Sequence, residues 1–460
     1  MRWKTTLILL ATVIALGAYV SYDLRQPSVE EHARLANEIV SLEPESVTQL
    51  AINGPTTNIT LTKAGTGWVI APSNQRANPS VIDRLTHLLS LFEADRVLAG
   101  TPEHPLDLKS MGLEPAPASL TVVAHEKPLT IHVGQATPLQ SKRYVKVSNR
   151  PEVFVVSGEL FDAITQPREA FRDHALARVN DDADAVTITG SSGTVRAARD
   201  AQHAWRLEQP LADAADPRAV DTLLSHISEV TITRFIEDAP TPEQRAGWGL
   251  DKPFATIQLG RTTLTIGNAL TGAQNVPWRY AARSDEPSVY AVDGADVARI
   301  LPEADELREK RCFVFFEQAA TAVEFAAQGT TWKIVKSQHQ WQDAAGTVVA
   351  PGKLSGIFRS LANLLAVSFI ENAPVDLGRY GLNPPYGSVA VTSSDRAQRV
   401  LVGNKLSGSN DRYGQIEGRL AVIRLPAAIN ELLMSPRPAP APTAPAPGSG
   451  AEPARPAAVR

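Results

Sequence analysis

Three Arg–Tyr dipeptides are the residues best placed to do chemistry in this 460-residue chain: Arg143–Tyr144, Arg279–Tyr280 and Arg412–Tyr413. A guanidinium offers a planar fork of donors that suits carboxylate or phosphate, and a phenol adds an aromatic face with a polar tip. Each pair follows a strand-like run that ends in glycine, at Gly134, Gly267 and Gly403. Alternation along a strand puts Arg and Tyr on opposite faces, so the two need not act together. Two roles are open. The arginines line a shared interaction surface, or each Tyr packs inward while its Arg covers an edge or pairs with an acid. Packing carries more weight, because Arg stems and Tyr rings commonly do that work.

Other constellations fall short of a reaction. The nine histidines are scattered, without an HExxH box. His125 and His132 could approach across a hairpin, but a metal site needs several converging ligands. "VGQATP", "IGNALTG" and "VGNKLSG" contain glycine turns, yet none completes a phosphate-binding loop or a dinucleotide fingerprint. No GxSxG elbow is present. Asp181 and Asp182 are adjacent, so they do not oppose one another, and they read as a polar turn. Cys312 is the single cysteine, which excludes an internal disulfide and a CxxC pair. In the run "KRCFVFF" it reads as a small buried hydrophobe. No catalytic, metal-binding or cofactor-binding residue is assigned, no cofactor is expected, and the chain reads as a non-enzyme.

The elements around the Arg–Tyr pairs recur. "GLEP" (Gly112, Leu113, Pro115), "GLDKP" (Gly249, Leu250, Pro253) and "GLNPP" (Gly381, Leu382, Pro384) start 137 and 132 residues apart. The glycine is expected to take a positive φ, the leucine to pack back as an anchor, and the proline to set the approach to the next strand. After each turn come two strand-like runs, the glycine, the Arg–Tyr strand and a further strand. Before each turn come "TGWVI", "HAWRL" and "TTWKI", which suggest equivalent core tryptophans at Trp68, Trp205 and Trp332. One-sided helices follow: Val81, Leu85, Leu88, Leu89 and Phe92 after a Ser80 cap; Val220, Leu223, Leu224 and Ile227; and Leu354, Ile357, Phe358, Leu361 and Leu364. A shorter helix closes each repeat. The unit reads β-β-β-α-β-β-β-β-α, an α+β arrangement with largely antiparallel strands and helices mainly on one face. Phe171–Arg172–Asp173 and Leu307–Arg308–Glu309 end the first two repeats alike, and an ion pair there could fix one repeat against the next.

The ends differ from the repeats. Arg2 and Lys4 precede an uncharged stretch from Thr5 to Tyr22, about 27 Å as a helix, enough for a signal anchor with its positive side in the cytoplasm. A cleaved signal peptide is the rival reading. From Ser435 the chain is rich in Pro and Ala and is expected to be extended and disordered. A net charge of −4 without a basic tract argues against a nucleic-acid surface. The expected organisation is an anchor at 1–24, a linker at 25–41, three tandem related domains at 42–174, 175–311 and 312–434, and a tail at 435–460.

This combination resembles the family of membrane-anchored bacterial proteins defined by the DUF4340 domain. The resemblance rests on the N-terminal stretch, Trp68 in "TGWVI", the "RYGLNPP"-type turns, "VGQ" or "VGN" before an Arg–Tyr strand, and "VFVVSGELFDAI" before "FRDHAL". It implies an extracytoplasmic protein of the inner membrane. It also implies partnership with the permease and ATPase subunits of gliding-motility-type ABC transport systems. The expected function is a scaffold or regulatory accessory subunit. The alternative is a periplasmic module that binds polysaccharide or peptide.

Overall fold

A computed structural model describes residues 37–40, 42–138, 141–179, 183–271, 277–393 and 396–434. The apolar stretch 5–22 and the Pro/Ala-rich segment 435–460 lie outside the described residues, as do Asp181 and Asp182. No helix among the described residues is long and apolar enough to cross a membrane.

The first sheet is built from β1 (Val47–Asn53), β2 (Asn58–Ala64), β3 (Gly67–Ala71), β4 (Gln75–Arg76), β5 (Arg96–Leu98), β6 (Ala118–Ala124), β7 (Lys127–Ala136), β8 (Lys142–Val147) and β9 (Val153–Ser157). Their order is β4-β3-β2-β1-β6-β7-β8-β9-β5. Early and late strands therefore share one sheet, joined where β1 pairs antiparallel with β6 and Leu50 faces Val122. Alternation decides which face is covered: Val47, Leu50 and Ile52 of β1 are buried, as are Ala118, Leu120, Val122 and Ala124 of β6. Helix α1 (Pro79–Ser90) lays Ile82, Leu85 and Leu89 into this core. Burying each leucine contributes about 1.5–3 kcal/mol. The closing helix α2 (Glu159–Ile164) touches α1 and β6, so both helices cover the same face.

The second sheet repeats that order. Its strands are β10 (Ala185–Gly190), β11 (Gly193–Arg199), β12 (Trp205–Gln209), β13 (Asp213–Ala214), β14 (Ile232–Glu237), β15 (Ala255–Leu259), β16 (Thr262–Thr271), β17 (Pro277–Arg283) and β18 (Val289–Asp293). They run β13-β12-β11-β10-β15-β16-β17-β18-β14. Helix α3 (Pro217–Glu229) buries Val220, Leu223 and Ile227 and contacts the short helices at Gly294–Arg299 and Ala304–Leu307. The third sheet comprises β19 (Ala320–Ala327), β20 (Thr330–Ser337), β21 (Gln340–Asp343), β22 (Ser368–Glu371), β23 (Gly387–Ser393), β24 (Arg396–Lys405), β25 (Arg412–Ile416) and β26 (Val422–Leu425). Its order is β21-β20-β19-β23-β24-β25-β26-β22. Leu354, Phe358 and Leu361 of the helix Pro351–Ala362 are buried in its core. The fold is thus mostly antiparallel β-sheet with helices packed on it.

Strand order and a helix cap correct two details of the sequence reading. Trp332 lies on β20, the counterpart of β2 and β11, whereas Trp68 and Trp205 lie on β3 and β12. The third tryptophan of the set is Trp341 on β21. The carbonyl oxygens of Trp68, Trp205 and Trp341 accept from the amides of Ala77, Ala215 and Val349 at 2.9, 3.2 and 2.8 Å. The third repeat places an aromatic on both strands of one hairpin, and a match of aromatic to aromatic slips by a strand. The first long helix is capped by Asn78, whose side chain accepts from the amide of Ser80, so Ser80 is not the cap. Pro79 occupies the first helical position, where a missing N–H costs nothing.

The chain falls into two compact units, residues 1–176 with 231–244 and 281–292, and residues 177–230 with 245–280 and 293–460. The expected boundary at 174–175 lies two residues from the break after Leu176, but the first unit also takes 231–244 and 281–292, and no break falls at 311–312. The linker hydrogen-bonds forward to one of these segments: the amide of Ile232 donates to the carbonyl of His174 at 2.7 Å.

Candidate functional site

The repeated turn and the Arg–Tyr strand meet in one structural device. Gly112, Gly249 and Gly381 have φ of 64°, 74° and 66°, a left-handed conformation that side chains disfavour. Leu113, Leu250 and Leu382 are buried behind them. The peptide bonds preceding Pro115 and Pro384 are cis, and the three turns lead into β6, β15 and β23, with Pro253 two residues before β15. Each turn docks on the glycine that precedes the Arg–Tyr strand. A Cβ at Gly134, Gly267 or Gly403 would overlap the carbonyl oxygen of Met111, Trp248 or Tyr380. In the first two repeats the amide after that glycine donates to the same carbonyl, Gln135 to Met111 at 3.1 Å and Asn268 to Trp248 at 2.8 Å.

The repeated arginine secures this junction. One guanidinium nitrogen (Nη1) of Arg143, Arg279 and Arg412 donates to the carbonyl of Gly134, Gly267 and Gly403 at 3.2, 3.1 and 2.8 Å. The same guanidinium groups lie 3.4, 3.6 and 3.7 Å from the ring centroids of Phe161, Phe254 and Tyr386. Burial pushes the Arg279 guanidinium below its ordinary pKa. Tyr280 stacks on Trp248, and Tyr413 packs edge-on against Tyr380. Tyr144 is half-buried. The arginine of each repeat, together with Tyr280 and Tyr413, is therefore engaged in internal contacts, and Arg412 is buried. Of the tryptophans, Trp205 is buried, while Trp68 and Trp332 are half-buried against their cores.

The buried polar clusters lie elsewhere, at the linkers after the first and second repeats. Residues 171–173 run beside β4: Asn78 donates its amide to the Phe171 carbonyl, and Asp173 to that of Arg76, at 2.8 and 2.9 Å. The second linker makes the same two bonds, Asp216 to Leu307 and Glu309 to Ala214. Each linker buries its arginine. Arg172 pairs with Asp238 at 2.8 Å and lies over the Phe235 ring. Arg168 joins from the side, donating to Asp238 at 3.1 Å and to the Gln75 side-chain oxygen at 2.9 Å. Gln75 in turn donates to Ser288 Oγ at 3.2 Å, and Glu286 accepts from the amide of Arg76 and pairs with buried Arg283.

At the second linker Arg308 is fully buried over the Phe369 ring. Its Nε and Nη2 donate to Asp213 at 2.8 and 2.7 Å, and its Nη1 reaches Asn372 at 2.7 Å and Asp305 at 3.0 Å. Arg419 forks onto the same Asp213 carboxylate at 2.6 and 2.8 Å. Burial alone would raise the Asp213 pKa, but the hydrogen bonds and charge of Arg419 and Arg308 outweigh it and hold the carboxyl below its ordinary value. Asp238 is held low in the same way: burial opposes ionisation, and Gln75, Arg172 and Arg168 overcome it.

The acids beside the linker arginines in sequence are not their partners. Arg172 takes Asp238, and Arg308 takes Asp213 and Asp305, while Glu309 chelates Arg311. Phe235 and Phe369 stand in the equivalent stretches "RFIEDAP" and "SFIENAP", a signal that could have located Asp238 and Asn372 together. Cys312 is buried in the third core, and burial pushes its thiol up to about 12. His125 sits in the turn after β6, and His132 faces Ser119 from the middle of β7. Among the described residues, no group of three or more His, Cys, Asp or Glu side chains converges as a metal site would require.

Sheets of one strand order, joined by linkers that bury an arginine, define a tandem-repeat α+β protein. The chain belongs to the family described as Domain of unknown function (DUF4340), whose model matches residues 68–202 and 205–350. The two matches open at Trp68 and Trp205, the tryptophans that hold equivalent places on β3 and β12. No curated protein and no solved structure matches the chain.

Proposed function

We propose that this chain is a non-enzymatic accessory subunit, a scaffold or regulator of an ABC-type transport or envelope complex. In this reading it is a single-pass protein of the bacterial inner membrane. Residues 5–22 anchor it, and three related domains follow on the periplasmic side. The observation that carries the reading is the pair of buried ionic clusters around Arg172 and Arg308. Unpaired buried charge is costly, so each cluster tolerates few alternative arrangements of the repeats it joins. A scaffold needs such defined geometry to hold partner subunits. Arg2 and Lys4 ahead of the uncharged stretch support the orientation. Family membership adds no activity of its own.

The test is quantitative co-purification of the full chain from gently solubilised native membranes. A version with the apolar residues 7–22 scrambled is the control. Enrichment of permease and ATPase subunits with the intact chain, lost in the control, is the expected result. Recovery of folded protein without any transporter subunit would overturn a stable complex. The alternative, a periplasmic module for polysaccharide or peptide, is favoured by one observation, a cavity in the second compact unit.

A further inference from the structure

That cavity encloses about 600 Å³ where β12, β13, residues 309–314 and the strands β24 and β25 come together. Its wall carries five arginines, Arg206, Arg311, Arg396, Arg399 and Arg419, against three carboxylates, Asp213, Glu309 and Glu417. This local excess of positive charge stands out in a chain whose net charge is −4. Three of the arginines are engaged. Arg419 forks onto Asp213 and Arg311 onto Glu309, while Arg399 donates to Ser388 Oγ at 3.2 Å. Asp213 also receives Arg308 and Glu309 is taken by Arg311, while Glu417 is exposed and lies 3.9 Å from Arg399.

Arg206 and Arg396 are different. Both are exposed, and neither side chain has an ion-pair or hydrogen-bond partner among the described residues. The same wall also has an apolar part. Cys312 is buried, Ile416 is half-buried, and Val314 and Leu420 stand 53% and 71% exposed. A cleft with low-dielectric walls and one sign of charge in excess concentrates counter-ions. The guanidinium fork matches the two oxygens of a carboxylate or phosphate. The volume lies within the range of about 300–1,000 Å³ usual for small-molecule sites.

We propose that this cavity binds a small organic anion, a molecule of sugar size bearing a phosphate or carboxylate group, with Arg206 and Arg396 as its direct ligands. The engaged arginines hold the wall in place, and the exposed apolar side chains cover the uncharged part of the ligand. The site goes beyond the accessory role, because it needs neither the anchor nor a partner subunit.

Isothermal titration of the full chain at low ionic strength tests this, with glucose 1-phosphate, glucuronate and glucose as probes. One-site saturable binding of at least one anion, absent for glucose and weakening with added salt, is the expected result. The double variant Arg206→Gln/Arg396→Gln should weaken it about tenfold or more, as the loss of charge-assisted hydrogen bonds implies. Arg261→Gln, on an exposed turn away from the cavity, should leave it unchanged. Tighter binding of glucose 1-phosphate assigns the site to phosphate, and the reverse order assigns it to carboxylate. Three results would overturn the proposal: no saturable heat with either anion up to about 10 mM, a range that already reaches very weak binding; equal affinity in the double variant; or glucose binding as well as the anions do.

Discussion

At the scale of single residues, the buried arginines make the strongest demands. Asp213→Ala leaves fully buried Arg308 with only Asp305 and Asn372 as polar partners and removes the acid that Arg419 grips. A loss of about 3–5 kcal/mol is expected, the usual consequence of breaking a buried pair, and urea unfolding of the variant measures it. Gly267→Ala drives a methyl group into the Trp248 carbonyl and should destabilise by roughly 1–3 kcal/mol, as overpacking does. Cys312 should resist thiol reagents in the native protein and react once it is unfolded, because burial keeps the thiol protonated to a pKa of about 12. The glycines were legible in the sequence because one steric requirement, a carbonyl pressed against the α-carbon, recurs in each repeat. The ionic partners were not. Asp213 lies 95 residues from Arg308 in the chain, and the position that holds Asp238 in one repeat holds Asn372 in the next.

At the scale of elements, helix ends separate the repeats. Asn78 and Asp216 each cap a long helix through a side-chain oxygen, whereas Ala350, with nearly the same backbone angles as Asn78, offers none. Ala350→Asn should therefore stabilise the protein by about 0.5–1 kcal/mol, seen as a higher denaturant midpoint. Asn78→Ala should cost about 1 kcal/mol, and Ser80→Ala much less, which separates the true cap from its neighbour. Helical periodicity found these helices because one face alone is covered. It could not resolve the cap, since Asn78 and Ser80 are both good capping types. Strand assignment failed at Trp332 for a related reason: the burial pattern of β20 is carried by Ile334, and the flanking tryptophans on β20 and β21 look alike in sequence.

For the whole molecule, acid tolerance follows from the two clusters. Asp213 and Asp238 have folded pKa values below their unfolded ones, so their contribution is complete above the unfolded value of about 4 and is lost as pH falls through the depressed folded values. Melting temperature should stay level through mildly acid buffers and then drop. The drop should be shallower in Asp213→Asn, which lacks one of the two titrating groups. The tandem plan was legible because each repeat reuses the same turn, glycine and arginine. The grouping of residues 231–244 and 281–292 with the first repeat was not, because it depends on long-range contacts such as the hydrogen bond from Ile232 to His174.

The two linker clusters use one geometry with the charges rearranged. The first places its carboxylate downstream, at Asp238, opposite the neutral Gln75. The second places it upstream, at Asp213, opposite the neutral Asn372. A chimera joining the first repeat directly to the third would bring Arg168 and Arg172 together with Arg419, with only amides where the two aspartates stand. Serial order is thereby written into the polar residues of the joints. The middle repeat is the only adaptor that satisfies both neighbours, and a chain lacking it should fail to assemble its joint even though each remaining sheet keeps its own strands.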